Sequence, residues 1–203
     1  MGDTVRLPAL TLHEPCASLC VARIPVGLRT GKAFESTAVT RGGIEFYFKN
    51  AENRSWPVPR TIKLPFTLAI HASKRRWFEG FVEYFVNCQD GGDGGLLARC
   101  QIAERTGWPR YGAILGTVEV WGCVQFSGRP WVANHRCLEP GDPEHDALVG
   151  NPWASGPYCW LLRNPRPFAA PIPARGRQGL WYADIPPDTL ADSGVDLNSL
   201  NRR

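Results

Sequence analysis

The sequence lacks any apolar run near the roughly 18 uninterrupted residues that define a membrane-spanning helix. Met1 to Thr4 show no basic region followed by an apolar stretch, so we expect no signal peptide, no membrane partner and an intracellular, cytoplasmic location. Hydrophobic residues make up 43% of the chain, enough for a buried core, which excludes a wholly disordered protein. A length of 203 residues predicts one domain.

Several common motifs are also missing. The chain has no CxxC pair and no HExxH, GxGxxG, GxxxxGK[ST] or GxSxG, so the enzyme classes that carry them gain no support. The seven cysteines are odd in number and irregularly spaced, which is typical of reduced thiols. Cys16 and Cys20 could share a helix face but supply only two ligands. We therefore expect neither a metal site nor a cofactor.

The charge of the chain is mildly positive, +4 from 23 basic and 19 acidic residues. Such a balance permits a nucleic-acid or phosphate partner without requiring one. The stretch from Lys49 to Trp77 has a single acidic residue, Glu52, against seven basic ones: Lys49, Arg54, Arg60, Lys63, Lys74, Arg75 and Arg76. The stretch from Glu139 to Asp146 is acidic instead. Two solvated faces would give the same pattern.

Glycine and proline are frequent, 21 and 18 residues, which favours short strands and many loops. The hydrophobic patterns predict helices at residues 15–22, 77–88 and 96–106. They predict strands at residues 66–70, 113–124, 158–162 and 180–185, with loops at 24–45 and 127–150 and a loosely held tail after Pro186. The result is an α+β fold, a closed or nearly closed barrel of five to six mixed strands with flanking helices.

Three blocks of sequence carry a resemblance to a known family. The first is LTLHEPCASL at 10–19; the second is KNAENRSWP at 49–57 with LAIHASK at 68–74; the third is GAILGTV at 112–118 with PWASGPYCW at 152–160 and GLW at 179–181. As an ordered set they resemble the ASCH domain, the activating signal cointegrator homology domain of the PUA-like superfamily. The resemblance implies a PUA-like β-barrel over residues 1–186, with insertions near 24–46 and 127–150 and a polar tail at 187–203. It also implies a cleft for RNA or a nucleobase.

The GxKxxExR signature of that family maps onto Lys49, Glu52 and Arg54. Tyr47 stands where the signature has glycine, and Cys16 where tryptophan is usual. In an extended segment Lys49 would face away from the other two residues, whereas a turn at Asn50 and Ala51 would bring all three together. The alternative to such a cluster is an exposed ion pair of Glu52 and Arg54 beside an independent Lys49. Such a pair contributes at most about 1 kcal/mol to stability.

The candidate nucleic-acid-binding residues combine cations with aromatic rings. Arginine offers fixed donors for a phosphate or a base edge, a glutamate accepts from an exocyclic amine, and an indole stacks on a base. The set is Lys49, Arg54, Ser55, Trp56, Lys74, Arg75, Arg76, Trp153, Tyr158 and Arg175. Trp56 is equally compatible with packing under the barrel, and Trp160, in a predicted strand, is more often a core residue.

Binding of RNA or single-stranded DNA is the favoured function. The alternative is a hydrolase acting on a modified nucleoside, similar to the N4-acetylcytidine amidohydrolases among short ASCH proteins, or a ribonuclease. Its catalytic residues would be Lys49, Glu52 and His71, with Glu119 as a further candidate. Glu52 stands where those hydrolases have threonine, and its charge would raise the pKa of Lys49 rather than lower it. A protein-interaction domain is a third reading, and the oligomeric state stays open.

Overall fold

The computed structural model describes residues 3–14, 16–25, 38–74, 110–125, 131–133, 136–151 and 153–200. The predicted helices at 77–88 and 96–106 lie outside these residues, as do Arg75 and Arg76. The helices are α1 (Cys16–Cys20), α2 (Pro143–Asp146), α3 (Pro187–Asp192) and α4 (Leu197–Leu200). The strands are β1 (Val5–Leu12), β2 (Ile24–Pro25), β3 (Ala38–Arg41), β4 (Ile44–Tyr47), β5 (Ala51–Arg54), β6 (Phe66–Ala72), β7 (Ala113–Gln125), β8 (Val132–Ala133), β9 (Arg136–Cys137), β10 (Tyr158–Pro173) and β11 (Leu180–Ile185).

The main sheet runs in the order β11, β1, β6, β7, β10, β5, and β8 and β9 extend it from the end of β7. β1 and β6 are parallel and the other neighbours are antiparallel, so the sheet is mixed, as predicted. Strands with a few short helices make this an α+β fold. Within the described ranges no ladder joins β11 to β5, so the sheet there is open and the closure expected of a barrel is not formed.

The predicted loop at 24–45 is wrong where the structure describes it. β3 and β4 form a hairpin, and β2 pairs with β4 to give a separate three-stranded sheet. Gly42 and Gly43 make the turn with φ of +56° and +76°, values that glycine adopts without strain. Two consecutive glycines between β-rich segments are a hairpin signal that the prediction passed over.

The sheet separates two hydrophobic clusters because side chains alternate along each strand. On β6, Leu68, Ile70 and Ala72 pack in the cluster that also holds Trp160 and Cys20 of α1. Ala69 packs in the other cluster, with Trp181 and Leu190. Consecutive residues of β6 therefore lie on opposite faces of the sheet.

Two segments that the sequence marks as irregular contribute to the core. Residues 127–150, predicted as a loop, include β8, β9 and α2, and Leu138 and Leu148 are buried there. The predicted loose tail instead forms α3 and α4, and Leu190 is completely buried. No helix in the described ranges is long and apolar enough to cross a membrane.

Candidate functional site

Lys49, Glu52 and Arg54 meet along β5, with Lys49 just before the strand and Arg54 at its end. The Lys49 Nζ lies 2.6 Å from Glu52 Oε2 and donates a second hydrogen bond, also of 2.6 Å, to the Ala51 carbonyl. The Arg54 Nη2 lies 2.8 Å from the other carboxylate oxygen, Oε1. One carboxylate therefore joins two cations, and the cluster carries a net charge of +1.

Arg54 keeps donor capacity in this arrangement. Its Nε and Nη2 are buried nitrogens that make no hydrogen bond to any described residue, so the contact with Glu52 is an ion pair without hydrogen-bond geometry. Its side chain is 20% exposed, more than those of Lys49 and Glu52 at 7% and 10%. The exposed part of the Arg54 side chain is therefore the part that an external acceptor can reach.

Two indole rings border the cluster. Glu52 is opposite Trp160 in the ladder between β5 and β10, and Arg54 is opposite Tyr158, so these side chains share one face of the sheet. The Trp56 ring packs against Trp160 with centroids 4.9 Å apart and an interplanar angle of 87°. Trp160 is completely buried and its Nε1 has no hydrogen-bond partner among the described residues, whereas Trp56 is half-buried. Trp56 is thus the ring that solvent can reach.

The backbone before β5 places Lys49 in this cluster. The Lys49 amide donates to the Leu19 carbonyl of α1 at 3.1 Å, and the Asn50 carbonyl accepts from the Leu162 amide of β10 at 2.8 Å. The segment is therefore held between α1 and β10 before the regular pairing of β5 begins. From there the Lys49 side chain turns towards Glu52, three residues ahead.

The electrostatics keep Lys49 charged. Burial alone would lower the pKa of Lys49, but the Glu52 carboxylate and its hydrogen bond outweigh burial and raise that pKa above its ordinary value. The two thiols of α1 near the cluster are neutral, whereas Lys49 is charged. Burial raises the pKa of Cys16 to about 11 and that of Cys20 well above the ordinary thiol value, so both stay protonated.

His71 lies apart from this cluster. It follows Ile70 on β6 and sits on the opposite face, with its ring 5.8 Å from that of Trp181 and its Nε2 3.1 Å from the Ala174 carbonyl. Its Nδ1 is buried without a partner among the described residues. Burial lowers the pKa of His71, so the imidazole is neutral at pH 7. The three candidate catalytic residues are therefore not in one place.

Lys74 and Arg175 follow the ends of β6 and β10, near His71. The Gly112 amide donates to the Ala72 carbonyl, and the Gly112 carbonyl accepts from the Ala174 amide. These bonds bring the ends of β6 and β10 together, and both Lys74 and Arg175 are exposed there. Gly112 has a φ of +66°, and a Cβ on it would lie 2.7 Å from Lys74 Cγ, so the lysine side chain crosses directly over this glycine.

The remaining candidates lie around β5. Ser55 is exposed just beyond the strand, and Tyr158 is half-buried opposite Arg54. Trp153 is buried, and its carbonyl accepts from Asn53 Nδ2 at 2.7 Å. Asn53 alternates with Glu52 and Arg54, so it faces the other side of β5 and anchors Trp153 there. Trp153 is thereby placed away from the face that carries Arg54.

Two structural residues were missed in the choice of candidates. The Asn53 side chain accepts from the amides of Ser155 and Gly156, both at 3.0 Å, and so fixes the segment before β10. The Glu14 carboxylate is buried and accepts from the Ser18 amide at 3.0 Å and the Ser18 hydroxyl at 2.9 Å, which stabilises the start of α1. The sequence signal for Glu14 was an acidic residue directly before the first turn of a helix; Asn53 had none, because its partners lie about a hundred residues away.

No group of three or more histidine, cysteine or acidic side chains in the described ranges could hold a metal ion. Two cavities, of about 790 and 550 Å³, lie elsewhere on the molecule, and neither is lined by Lys49, Glu52 or Arg54. A scan of the sequence against protein-family models finds no match, and a search of curated proteins finds no significant match.

Proposed function

We propose that the chain is a nucleic-acid-binding protein of the ASCH type, with a PUA-like fold, which holds one nucleotide of RNA or single-stranded DNA at the Lys49–Glu52–Arg54 cluster. The observation that carries the proposal is the Arg54 guanidinium, which is held by the Glu52 carboxylate while its side chain remains 20% exposed. A phosphate or a base edge would accept from the exposed part of this guanidinium.

The cluster has the donors and acceptors that a single nucleotide needs. Arginine has five N–H donors in a planar fork, which matches two phosphate oxygens or the acceptor edge of guanine. A carboxylate has about four lone-pair sites. Lys49 and Arg54 each approach one oxygen of Glu52, so acceptor capacity remains for an exocyclic amine. Trp56 adds a half-exposed ring for stacking, worth about 1–3 kcal/mol per base.

Further cations lie outside the cluster. Lys74 and Arg175 are exposed at the joined ends of β6 and β10. Contacts from such residues to backbone phosphates add affinity without sequence preference. We assign them this secondary role, while Arg54 and Glu52 select the nucleotide.

The geometry favours binding over hydrolysis. A lysine that activates water or attacks an amide must lose its proton, and Glu52 raises the pKa of Lys49 instead. His71 lies on the opposite face of the sheet and contacts Trp181 and the Ala174 carbonyl rather than Glu52. Lys49 then serves to hold Glu52 in place as a charged acceptor.

Fluorescence anisotropy with mixed-sequence single-stranded RNA and DNA at low salt tests this proposal. We expect Arg54→Gln to weaken binding at least about tenfold, or 1.4 kcal/mol. Arg163→Gln is the matched control, because Arg163 is an exposed arginine paired with Glu119. Binding no stronger than background, or equal losses in the two variants, would contradict the proposal. Release of cytidine from N4-acetylcytidine would favour the hydrolase alternative instead.

A further inference from the structure

A second arginine-lined site lies on the side of the molecule that carries the β3–β4 hairpin. Its cavity, about 790 Å³, is bordered by Arg23, Arg41 and Arg166, by the hydrophobic residues Ile44 and Phe46, and by Phe168 of β10. We propose that this cavity binds the phosphate group of a nucleotide. It shares no lining residue with the Lys49–Glu52–Arg54 cluster, so the inference goes beyond the function proposed above.

Backbone carbonyls hold the three guanidinium groups. Arg23 Nη1 donates to the Phe168 carbonyl at 2.8 Å and to the Leu115 carbonyl at 3.4 Å. Arg41 Nη2 donates to the Ala22 carbonyl at 3.3 Å, and Arg166 Nη1 donates to the Ser193 carbonyl at 3.4 Å. Each contact uses one nitrogen of the group. The other nitrogens make no hydrogen bond to a described residue, so each arginine keeps donors for an anion.

The charge of the lining is unbalanced. Asp192 is the one carboxylate among the described lining residues, against three guanidinium groups. None of the ion pairs between described residues includes Arg23, Arg41 or Arg166. Burial lowers the pKa of Arg23, and the charges of Arg110 and Arg41 lower it further, although Glu14 partly offsets them. A bound dianion would relieve this repulsion.

The hydrophobic part of the lining favours a nucleotide over an inorganic phosphate ion as the ligand. Ile44 is 54% exposed, although it is an aliphatic residue in a strand. The Arg41 guanidinium lies 4.2 Å from the centroid of the Phe46 ring, so one of its faces is covered and the other can stack on a base. A cavity of about 300–1,000 Å³ is the size range in which proteins bind small molecules. A nucleotide with its phosphate between the arginines and its base along this hydrophobic wall would contact both parts of the lining.

Isothermal titration calorimetry with AMP, adenosine and a single-stranded oligonucleotide tests the inference. We expect Arg166→Gln and Arg41→Gln to weaken AMP binding at least about tenfold, and Asp192→Asn to strengthen it. Arg60→Gln is the matched control, since Arg60 is exposed and does not line the cavity. Arg166 and Arg41 are themselves exposed, so the variants should fold, which thermal unfolding checks.

The outcomes show whether the phosphate belongs to a free nucleotide or to a nucleic-acid strand. They also distinguish this site from the Lys49–Glu52–Arg54 cluster. AMP binding that depends on Arg166 indicates a free nucleotide. Oligonucleotide binding that depends on Arg166, without AMP binding, indicates a backbone phosphate of a strand, and the site stands in both cases. Equal binding of adenosine and AMP, or no effect of Arg166→Gln on any probe, overturns the inference. Arg54→Gln, measured with the same oligonucleotide, reports on the other site alone.

Discussion

Glu52 is the residue on which the candidate site depends, because it is the shared partner of Lys49 and Arg54. Removing one partner of a buried ion pair leaves an uncompensated charge, which costs about 3–5 kcal/mol. We expect Glu52→Gln to lower the free energy of unfolding by about 3 kcal/mol, the lower end, since the amide oxygen still accepts one hydrogen bond. Urea denaturation measures this loss.

Glu119 provides the control for that measurement. It pairs with Arg163, but the two side chains are 24% and 51% exposed. Exposed pairs contribute about 0–1 kcal/mol, so Glu119→Gln should change the free energy of unfolding by less than about 1 kcal/mol. Losses of the same size in the two variants would show that the Lys49–Glu52–Arg54 cluster is not buried in solution.

The titration of His71 predicts how the free energy of unfolding depends on pH. Burial lowers its pKa in the folded state, whereas the unfolded chain has the ordinary value near 6.5. The unfolded state therefore binds the proton first as the pH falls, so stability is complete above about pH 6.5 and decreases below it, down to the folded pKa. The slope in this window cannot exceed about 1.4 kcal/mol per pH unit, the limit for one proton.

Urea denaturation of the parent protein and of His71→Gln at a series of pH values checks the sign. The variant should lose the slope below about pH 6.5, because it has no proton to bind at this position. Asp142 and Asp146 also have lowered pKa values, but their contributions disappear only in the acid range below the ordinary aspartate pKa of 3.8. An unchanged slope in the variant would assign the titration to another group.

At the scale of the elements, β7 and β10 approach each other closely at Gly116. A Cβ on Gly116 would lie 2.4 Å from the Arg166 carbonyl oxygen and 2.7 Å from Pro167 Cα, both backbone atoms that cannot move aside alone. We expect Gly116→Ala to lower the free energy of unfolding by about 1–3 kcal/mol, the cost of overpacking. Thermal or urea unfolding measures it.

Gly122 of the same strand is the matched control. A Cβ there would lie 3.0 Å from Leu161 Cδ1, which is the end of a flexible side chain. Gly122→Ala should therefore cost clearly less than Gly116→Ala, since the leucine can rotate. A larger loss at Gly122 would contradict the register between β7 and β10.

Four strands of the main sheet, β6, β7, β10 and β11, were predicted because each carries a local signal, whereas β1 and β5 were not predicted. Ala113–Gln125 and Leu180–Ile185 are apolar and β-rich, and Pro15 precedes α1. The prolines from Pro165 onward fit the part of β10 that pairs only with β7 among the described residues, since an edge tolerates proline. The order of the strands has no local signal, because it depends on pairing between distant segments.

The candidate site also has one part that the local sequence indicates and another part that depends on distant strand pairing. Lys49, Glu52 and Arg54 are close in sequence, so their meeting was one of the two arrangements that the sequence left open. The position of Trp160 opposite Glu52 depends on the register of β5 against β10, about a hundred residues further along the chain. The face that His71 occupies depends on the pairing of β6 with β1 and β7. Neither could be inferred from composition or spacing.

At the scale of the whole molecule, the proposed function predicts that binding of a nucleic acid depends on salt concentration. The net charge of +4 is small, so the distribution of exposed cations decides the effect. Glu52 neutralises one charge of the cluster, which leaves it equivalent to one cation, and Lys74 and Arg175 add one each at the edge formed by β6 and β10. The proposed function therefore predicts three phosphate contacts from these described residues.

Each phosphate contact on a single strand contributes about −0.7 to the slope of log K against log salt concentration, so three contacts predict a slope of about −2. Arg54→Gln and Lys74→Gln should each make the slope less steep by about 0.7, because each removes one cation from the path of the strand. Lys63→Gln is the matched control, since Lys63 is an exposed lysine outside this set, and it should leave the slope unchanged. Anisotropy titrations over a series of salt concentrations give the slopes. A slope near zero, or one that Arg54→Gln does not alter, would mean that the strand does not pass over the Lys49–Glu52–Arg54 cluster.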